Sequence, residues 1–220
     1  MTKKKLVLFD IDYTLFNTDV YKDNLTKVLG EKLGFTHLDQ FEPLNQEASK
    51  KTIEAHGHFV PEVFLKNLIQ ITGSAVPLEA LEKVFWQDTL YATAIDPKIR
   101  SIAEALAQKG VKLGILSTGN EKHQRQKLHT IVDVLTQEHI HIFVDKIEKL
   151  HTIVDLYKAY SIFIVDDLLA VLSKAKELDT NIYTIWMNRP KKYMQPENNS
   201  FVPDSTIDDL SHVTSIILNN

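Results

Sequence analysis

Residues 6–15 read LVLFDIDYTL: an apolar run meets Asp10, and a second carboxylate, Asp12, follows two positions on. A run of this composition is a buried strand. Two ionised carboxylates are costly to bury unpaired, so the strand ends near Asp10 and both acids lie at its carboxyl end. In an open parallel α/β sheet, ligands bind at that edge. Two like charges about 4 Å apart repel by about 4 kcal/mol at an effective dielectric of about 20. A bound divalent cation would relieve the repulsion.

Outward from this strand the chain changes character in blocks. Between 17 and 94 no strand is evident and four helices are expected. The first, capped by Thr18 or Asp19, carries Leu25, Val28, Leu29 and Leu33 and closes at Gly34. The second spans about 45–56, the third starts at Pro61 and stops at Gly73, and the fourth covers about 78–90. Short helices with short connections form a small bundle.

From Asp96 the pattern alternates. A helix opened by Asp96 and Pro97 closes at Gly110, and strands follow at 111–116, 140–144, 161–165 and 182–186. Helices are expected between them at 122–135, 147–157 and 168–178, with a last one at 207–218. Such alternation means a parallel sheet with helices on both faces. The first strand needs neighbours to be buried, so it joins that sheet. The expected fold is therefore α/β, a Rossmann-like core of residues 1–16 and 95–220. An all-helical cap of residues 17–94 is inserted above the acidic turn.

The composition is compatible with this. The 220 residues, 44% hydrophobic and 25% charged, suit one large or two small globular domains. A net charge of −4 gives no basic excess, so nucleic acid is not the expected partner. With no cysteine, disulfides, thiolate metal sites and thiol nucleophiles are excluded. The apolar run after the basic start is too short for a signal peptide, and no stretch approaches the ~20 apolar residues of a membrane span. A soluble cytoplasmic protein is expected, and nothing bears on its oligomeric state.

Four candidate groups fall at strand ends: Asp10 and Asp12; Ser117, Thr118 and Gly119; Lys146 and Lys149; Asp166 and Asp167. A parallel sheet carries all four to one edge. In order they read acid pair, hydroxyl, lysine, acid pair. This resembles the haloacid dehalogenase superfamily of phosphoryl-transfer enzymes. DIDYTL matches its first motif, GILST its second, a lysine ahead of an apolar helix its third, and IFIVDD its fourth in the paired-aspartate form. A phospho-signalling receiver domain uses similar groups, but there the lysine follows the acids and no large helical insert succeeds the first strand.

The resemblance implies a role for each residue. Asp10 is the nucleophile that forms an aspartyl-phosphate. Asp12 is the acid that protonates the leaving group and then the base that activates water. Ser117 binds a phosphate oxygen, with the backbone around Thr118 and Gly119 helping. A lysine, Lys146 at the strand end or Lys149 one turn on, neutralises charge. Asp167, with Asp166 close by, holds Mg²⁺ together with Asp10 and the Asp12 backbone carbonyl. Four aspartates against one lysine and one divalent cation leave the site negative before phosphate arrives. Asp12 is therefore expected to bind substrate as the neutral acid, its pKa raised by its neighbours. The activity implied is a phosphatase of a small phosphorylated metabolite, a sugar phosphate or a nucleotide. The alternatives are a phosphomutase or a catalytically silent binding protein. Dehalogenating relatives lack the second acid of the first motif, which this chain keeps.

Other residues read as structural. Many members have glycine where this chain has Tyr13. His56 with His58, and His139 with His141, read as surface pairs. Phe85, Trp86 and Tyr91 read as packing of the insert, Lys191 and Lys192 as a solvated loop, and Arg189 as an ion-pair residue. Lys50, Lys51 and His56 are cap residues that could face the site.

Overall fold

The computed structural model describes residues 3–193 and 200–220. In chain order the elements are β1 (Lys4–Phe9), α1 (Thr18–Lys32), α2 (Leu38–His56), α3 (Pro61–Thr72), α4 (Leu78–Phe85), α5 (Asp88–Ala92) and α6 (Ile99–Gln108). Then come β2 (Lys112–Thr118), α7 (Glu121–Lys127), β3 (Ile140–Phe143), α8 (Lys146–Leu156), β4 (Tyr160–Asp166), α9 (Leu169–Leu178), β5 (Tyr183–Met187), β6 (Ser205–Ile207) and α10 (Ser211–Asn219).

Alternation along β1 buries it on both sides: Val7 and Phe9 join one apolar cluster, Leu6 and Leu8 the other. β4 divides in the same way, Phe163 and Val165 against Ile162 and Ile164. The first cluster is roofed by α6 and α10 through Ile102, Leu106, Val213 and Ile217. The second is covered by α8 and α9 through Leu150, Ile153, Val171 and Leu172. All neighbouring strands are parallel, in the order β3-β2-β1-β4-β5-β6. The chain steps from β1 outward to β2 and β3, then returns to the other side of β1 at β4. The crevice at this reversal is where such sheets take ligands.

All five elements from α1 to α5 are helical, and they form the insert. The chain enters and leaves it side by side: the Asn17 amide donates to the Ala94 carbonyl (2.7 Å), and the Asp96 amide to the Leu15 carbonyl (2.8 Å). Phe16 and Ile95 form an antiparallel bridge between these two hydrogen bonds.

Several elements differ from expectation. α1 is capped by Asn17, whose side chain accepts from the Val20 amide, rather than by Thr18 or Asp19. α2 starts at Leu38 and runs through Pro43. Its early turn is held by fully buried Phe41, which packs on Phe35 at 5.1 Å between ring centroids and lies close to Gly30 of α1. The fourth expected helix breaks at Trp86 and Gln87 into α4 and α5. α7 ends at Lys127, and the chain then descends through two 3-10 turns that still bury Leu128, Ile131 and Leu135. Ser205–Ile207 extends the sheet as β6, so the last helix begins at Ser211 rather than at 207. Among the described residues no helix is long and apolar enough to cross a membrane.

Candidate active site

β1 and β4 deliver their acids to the same crevice. The Asp10 amide still bonds the Val165 carbonyl (2.9 Å), so its carboxylate leaves the sheet beside the end of β4. Lys146, in the first turn of α8, reaches up between the two strands. Its Nζ lies 2.5 Å from Asp10 Oδ1 and 2.7 Å from Asp166 Oδ2, and all three residues are buried. Asp145 positions this turn by accepting from the Ile147 and Glu148 amides, and the Lys146 amide donates to Thr118 Oγ1. Lys149 lies exposed one turn further on. Of the two lysines left open by the sequence, the buried one at the strand end meets the acids and Lys149 does not, because a helical turn carries it to the outer face.

Asp12 sits in a clamp that the sequence did not announce. Lys127 Nζ is 2.7 Å from both of its oxygens, Gln124 Nε2 donates to Oδ2 (2.9 Å), and Thr18 Oγ1 donates to Oδ1 (2.7 Å). Gln124 and Lys127 are one helical turn or less apart on α7, which Asn120 caps by accepting from the His123 amide. The only available signal was their shared helix face just after the second motif. Gly119 makes room for this arrangement: at φ 136° it is left to glycine, and a Cβ there would lie 2.8 Å from Gln124 Nε2. Lys191 is a second surprise. It pairs with Asp167 Oδ2 at 2.7 Å, so it is not a solvated loop residue. Arg189 pairs with Asp96, as an ion-pair reading requires.

These lysines reverse one expectation. Four aspartates are met by three lysines, Lys127, Lys146 and Lys191, so even with all four acids ionised the formal charge is only −1 before any cation binds. Burial pushes the Asp12 carboxyl up, but the charge and hydrogen bonds of Lys127, with those of Gln124 and Thr18, outweigh it. The result lies well below the usual carboxylate range, so Asp12 rests ionised rather than neutral. At Asp10, burial and the neighbouring Asp12 charge win over Lys146 and raise the pKa. Burial raises Asp166 to about 8 and Asp167 to about 7, helped in both by Asp10 and opposed by the lysines.

Asp10, Asp166 and Asp167 offer carboxylate oxygens that all lie within 4.8 Å of one another. Three buried hard-oxygen donors, each destabilised as an anion by burial, fit a divalent cation such as Mg²⁺. The Asp12 carboxylate is outside this set, since Lys127 engages both of its oxygens. Ser117 lies beyond the Phe9–Ile115 pair on β2, and its buried hydroxyl has no hydrogen-bond partner among the described residues. Thr118 and Gly119 line the opening above.

A cavity of about 840 Å³ spans this floor and the insert. Asp10, Asp12, Lys146 and Asp167 form its base, and Tyr21, Lys22, Asn45 and Lys50 are among the residues of its helical wall. Lys51 and His56 do not line it. Tyr13, at the rim, has φ 58° and is the one non-glycine residue with positive φ among those described. A glycine would hold this angle without strain.

Comparison with known proteins gives structural matches only. No protein-family profile matches the chain, and no curated protein matches it by sequence. A haloacid dehalogenase-like hydrolase of Burkholderia xenovorans LB400 superposes with a TM-score of 0.79 at 16% identity, covering 99% of this chain and 98% of that one. YfnB of Bacillus subtilis, a HAD-hydrolase bound to magnesium, gives 0.64 at 17%, covering 98% and 99%. A HAD phosphatase from Thermococcus onnurineus gives 0.58 at 22%, covering 97% of each chain. L-2-haloacid dehalogenases superpose as well. The chain thus has the fold of the haloacid dehalogenase superfamily, as its four motifs led one to expect.

Proposed function

We propose that the protein is a Mg²⁺-dependent phosphatase of a small phosphorylated metabolite that works through an aspartyl-phosphate on Asp10. The observation that carries this is the meeting of Asp10, Asp12, Lys146, Asp166 and Asp167 at one crevice, with Ser117 at the end of the adjacent strand β2, its buried hydroxyl unpartnered among the described residues. Asp10, Asp166 and Asp167 would hold the cation, with the Asp12 backbone carbonyl. When bound, it supplies positive charge to offset that of the incoming phosphoryl group. Lys146 aims the Asp10 carboxyl and opposes the burial that disfavours its anion, and the bound cation would favour the anion further, so an Asp10 oxygen can attack phosphorus as the P–O bond to the leaving group breaks. Asp12 lies two residues on, beside the departing oxygen. It rests as the base that the second half-reaction needs, taking a proton from the water that hydrolyses the aspartyl-phosphate. For the first half-reaction, a substrate that binds as the phosphate monoanion brings the proton that Asp12 passes to the leaving oxygen.

Asp12 also argues against carbon–halogen cleavage. A halide departs without a proton, whereas an alkoxide needs one, and an acid–base group held by three partners serves the alkoxide. A cavity of about 840 Å³ between the acidic floor and the helical wall suits a small ester better than a polymer. The cytoplasm remains the compartment we assign, with no nucleic-acid or membrane partner. The test is hydrolysis of p-nitrophenyl phosphate: turnover should require Mg²⁺ and vanish in Asp10→Asn. Magnesium-independent turnover, or an active Asp10→Asn, would refute the reading. A panel of phosphorylated metabolites then finds the substrate.

A further inference from the structure

His123 is a core residue that has left the core. It projects from α7 into the insert, where the rings of Tyr21, Phe59, Phe85, Trp86 and Tyr91 surround it at centroid distances of 5.4–6.1 Å. Its Nε2 shares a 3.1 Å hydrogen bond with the Tyr21 hydroxyl, and only 6% of the residue is exposed. The flanking positions of α7 also grip the insert. Lys122 sits 4.2 Å over the Trp86 ring and pairs with Glu62, and Gln126 donates to Asp88. The same seven-residue helix holds Asp12 through Gln124 and Lys127. A helix this short cannot shift at one face without shifting at the other.

We propose that His123 is a positioning residue. Seated in the aromatic cage of the insert, it fixes α7 and so fixes Gln124 and Lys127, which makes the seating of the insert and the placing of the Asp12 carboxylate a single event. Thr18, the third partner of the Asp12 carboxylate, is the first residue of α1, so the two elements that hold it, α7 and α1, both depend on where the insert sits. Coupling of this kind is reciprocal: loosening either end must be felt at the other.

The inference rests on the phosphatase reading for its kinetic test but has a second test that does not. p-Nitrophenolate leaves without a proton, whereas a simple alkyl phosphate needs one from Asp12. His123→Ala should therefore lower kcat/KM, which reports only the steps up to departure of the leaving group, at least about tenfold more on the alkyl ester than on p-nitrophenyl phosphate, within the ~10²–10⁴-fold worth of a general acid. His123→Phe, which refills the cage, should recover much of that loss. A purely structural defect would lower both rates alike. In a Trp186→Phe background, where Trp86 is the only indole, Lys127→Met should raise acrylamide quenching of Trp86 about twofold or more. Equal losses on the two esters, or Trp86 quenching unchanged by Lys127→Met, would overturn the proposal. If the unaltered protein turns over neither ester, the phosphatase reading fails and the quenching result alone decides the coupling.

Discussion

Tyr13 holds a backbone angle, φ 58°, that disfavours every side chain with a Cβ. Its hydroxyl compensates by donating to Asp19 at 2.8 Å, and its amide is bonded to the Phe16 carbonyl at 2.9 Å. Tyr13→Ala and Tyr13→Gly lose the same hydroxyl and ring, so their difference isolates the backbone term. Chemical denaturation should find the glycine variant more stable than the alanine variant by about 1 kcal/mol. The two candidate lysines separate as clearly. Lys149→Gln should leave stability within about 0.5 kcal/mol and turnover intact, as expected of an exposed side chain. Lys146→Met should abolish turnover, because it leaves Asp10 and Asp166 facing each other without their shared cation. With Asp12 ionised at rest, kcat/KM should fall as pH rises above about 6, where a phosphate monoester loses its second proton. A flat profile from pH 5.5 to 8 would dismiss the monoanion as the proton carrier. Asp10, Asp12, Asp166 and Asp167 were legible because each lies at or just past the end of an apolar strand, and Lys146 only as one of two candidates with Lys149. Lys127 and Lys191 were not: a lysine on a short polar helix or in a loop looks the same whether it meets solvent or a buried acid.

Two glycines show how tightly elements approach. At Gly114 on β2 a Cβ would come within 2.4 Å of the His139 carbonyl oxygen and 2.9 Å of Leu8 Cδ2. Backbone cannot yield there, so Gly114→Ala should destabilise by about 1–3 kcal/mol, or more if β3 separates. At Gly30 the nearest atoms are side-chain carbons, Cδ1 of buried Phe41 at 3.0 Å and Cδ2 of exposed Leu38 at 3.2 Å, so a Cβ there costs a small shift of the packed Phe41 ring. The helix gains about 1 kcal/mol from alanine over glycine, so Gly30→Ala should come out near neutral in the same denaturation series. The element pattern was readable wherever period and punctuation agreed, as in β1, α3 and α9. It failed where packing overruled a local rule. Phe41 draws α2 through Pro43, and buried Leu128, Ile131 and Leu135 hold an irregular descent that keeps helical spacing without being a helix. β6 has three residues, too few for alternation to show.

Across the whole molecule, the buried acid cluster ties stability to pH and to metal. Asp166 and Asp167 titrate at about 8 and about 7 in the folded chain, above their ordinary value of 3.8. Folded, these carboxyls hold their protons more tightly than unfolded. The stability this represents is therefore full below about pH 4 and is lost as pH rises through 7 to 8. With EDTA present, Tm should fall steadily from pH 5 to 8.5. Mg²⁺ favours the ionised acids, so its stabilisation should grow over the same range, reaching about 2.7 kcal/mol at a hundredfold excess over its Kd. A metal effect independent of pH would place the cation elsewhere. The stitched crossing at Phe16 and Ile95 makes the insert separable from the sheet. Because the insert departs and returns at one point, a brief hairpin spliced there would omit the entire lid while sparing every strand. Such an abridged chain should leave its acidic rim open on the side where the helices now stand.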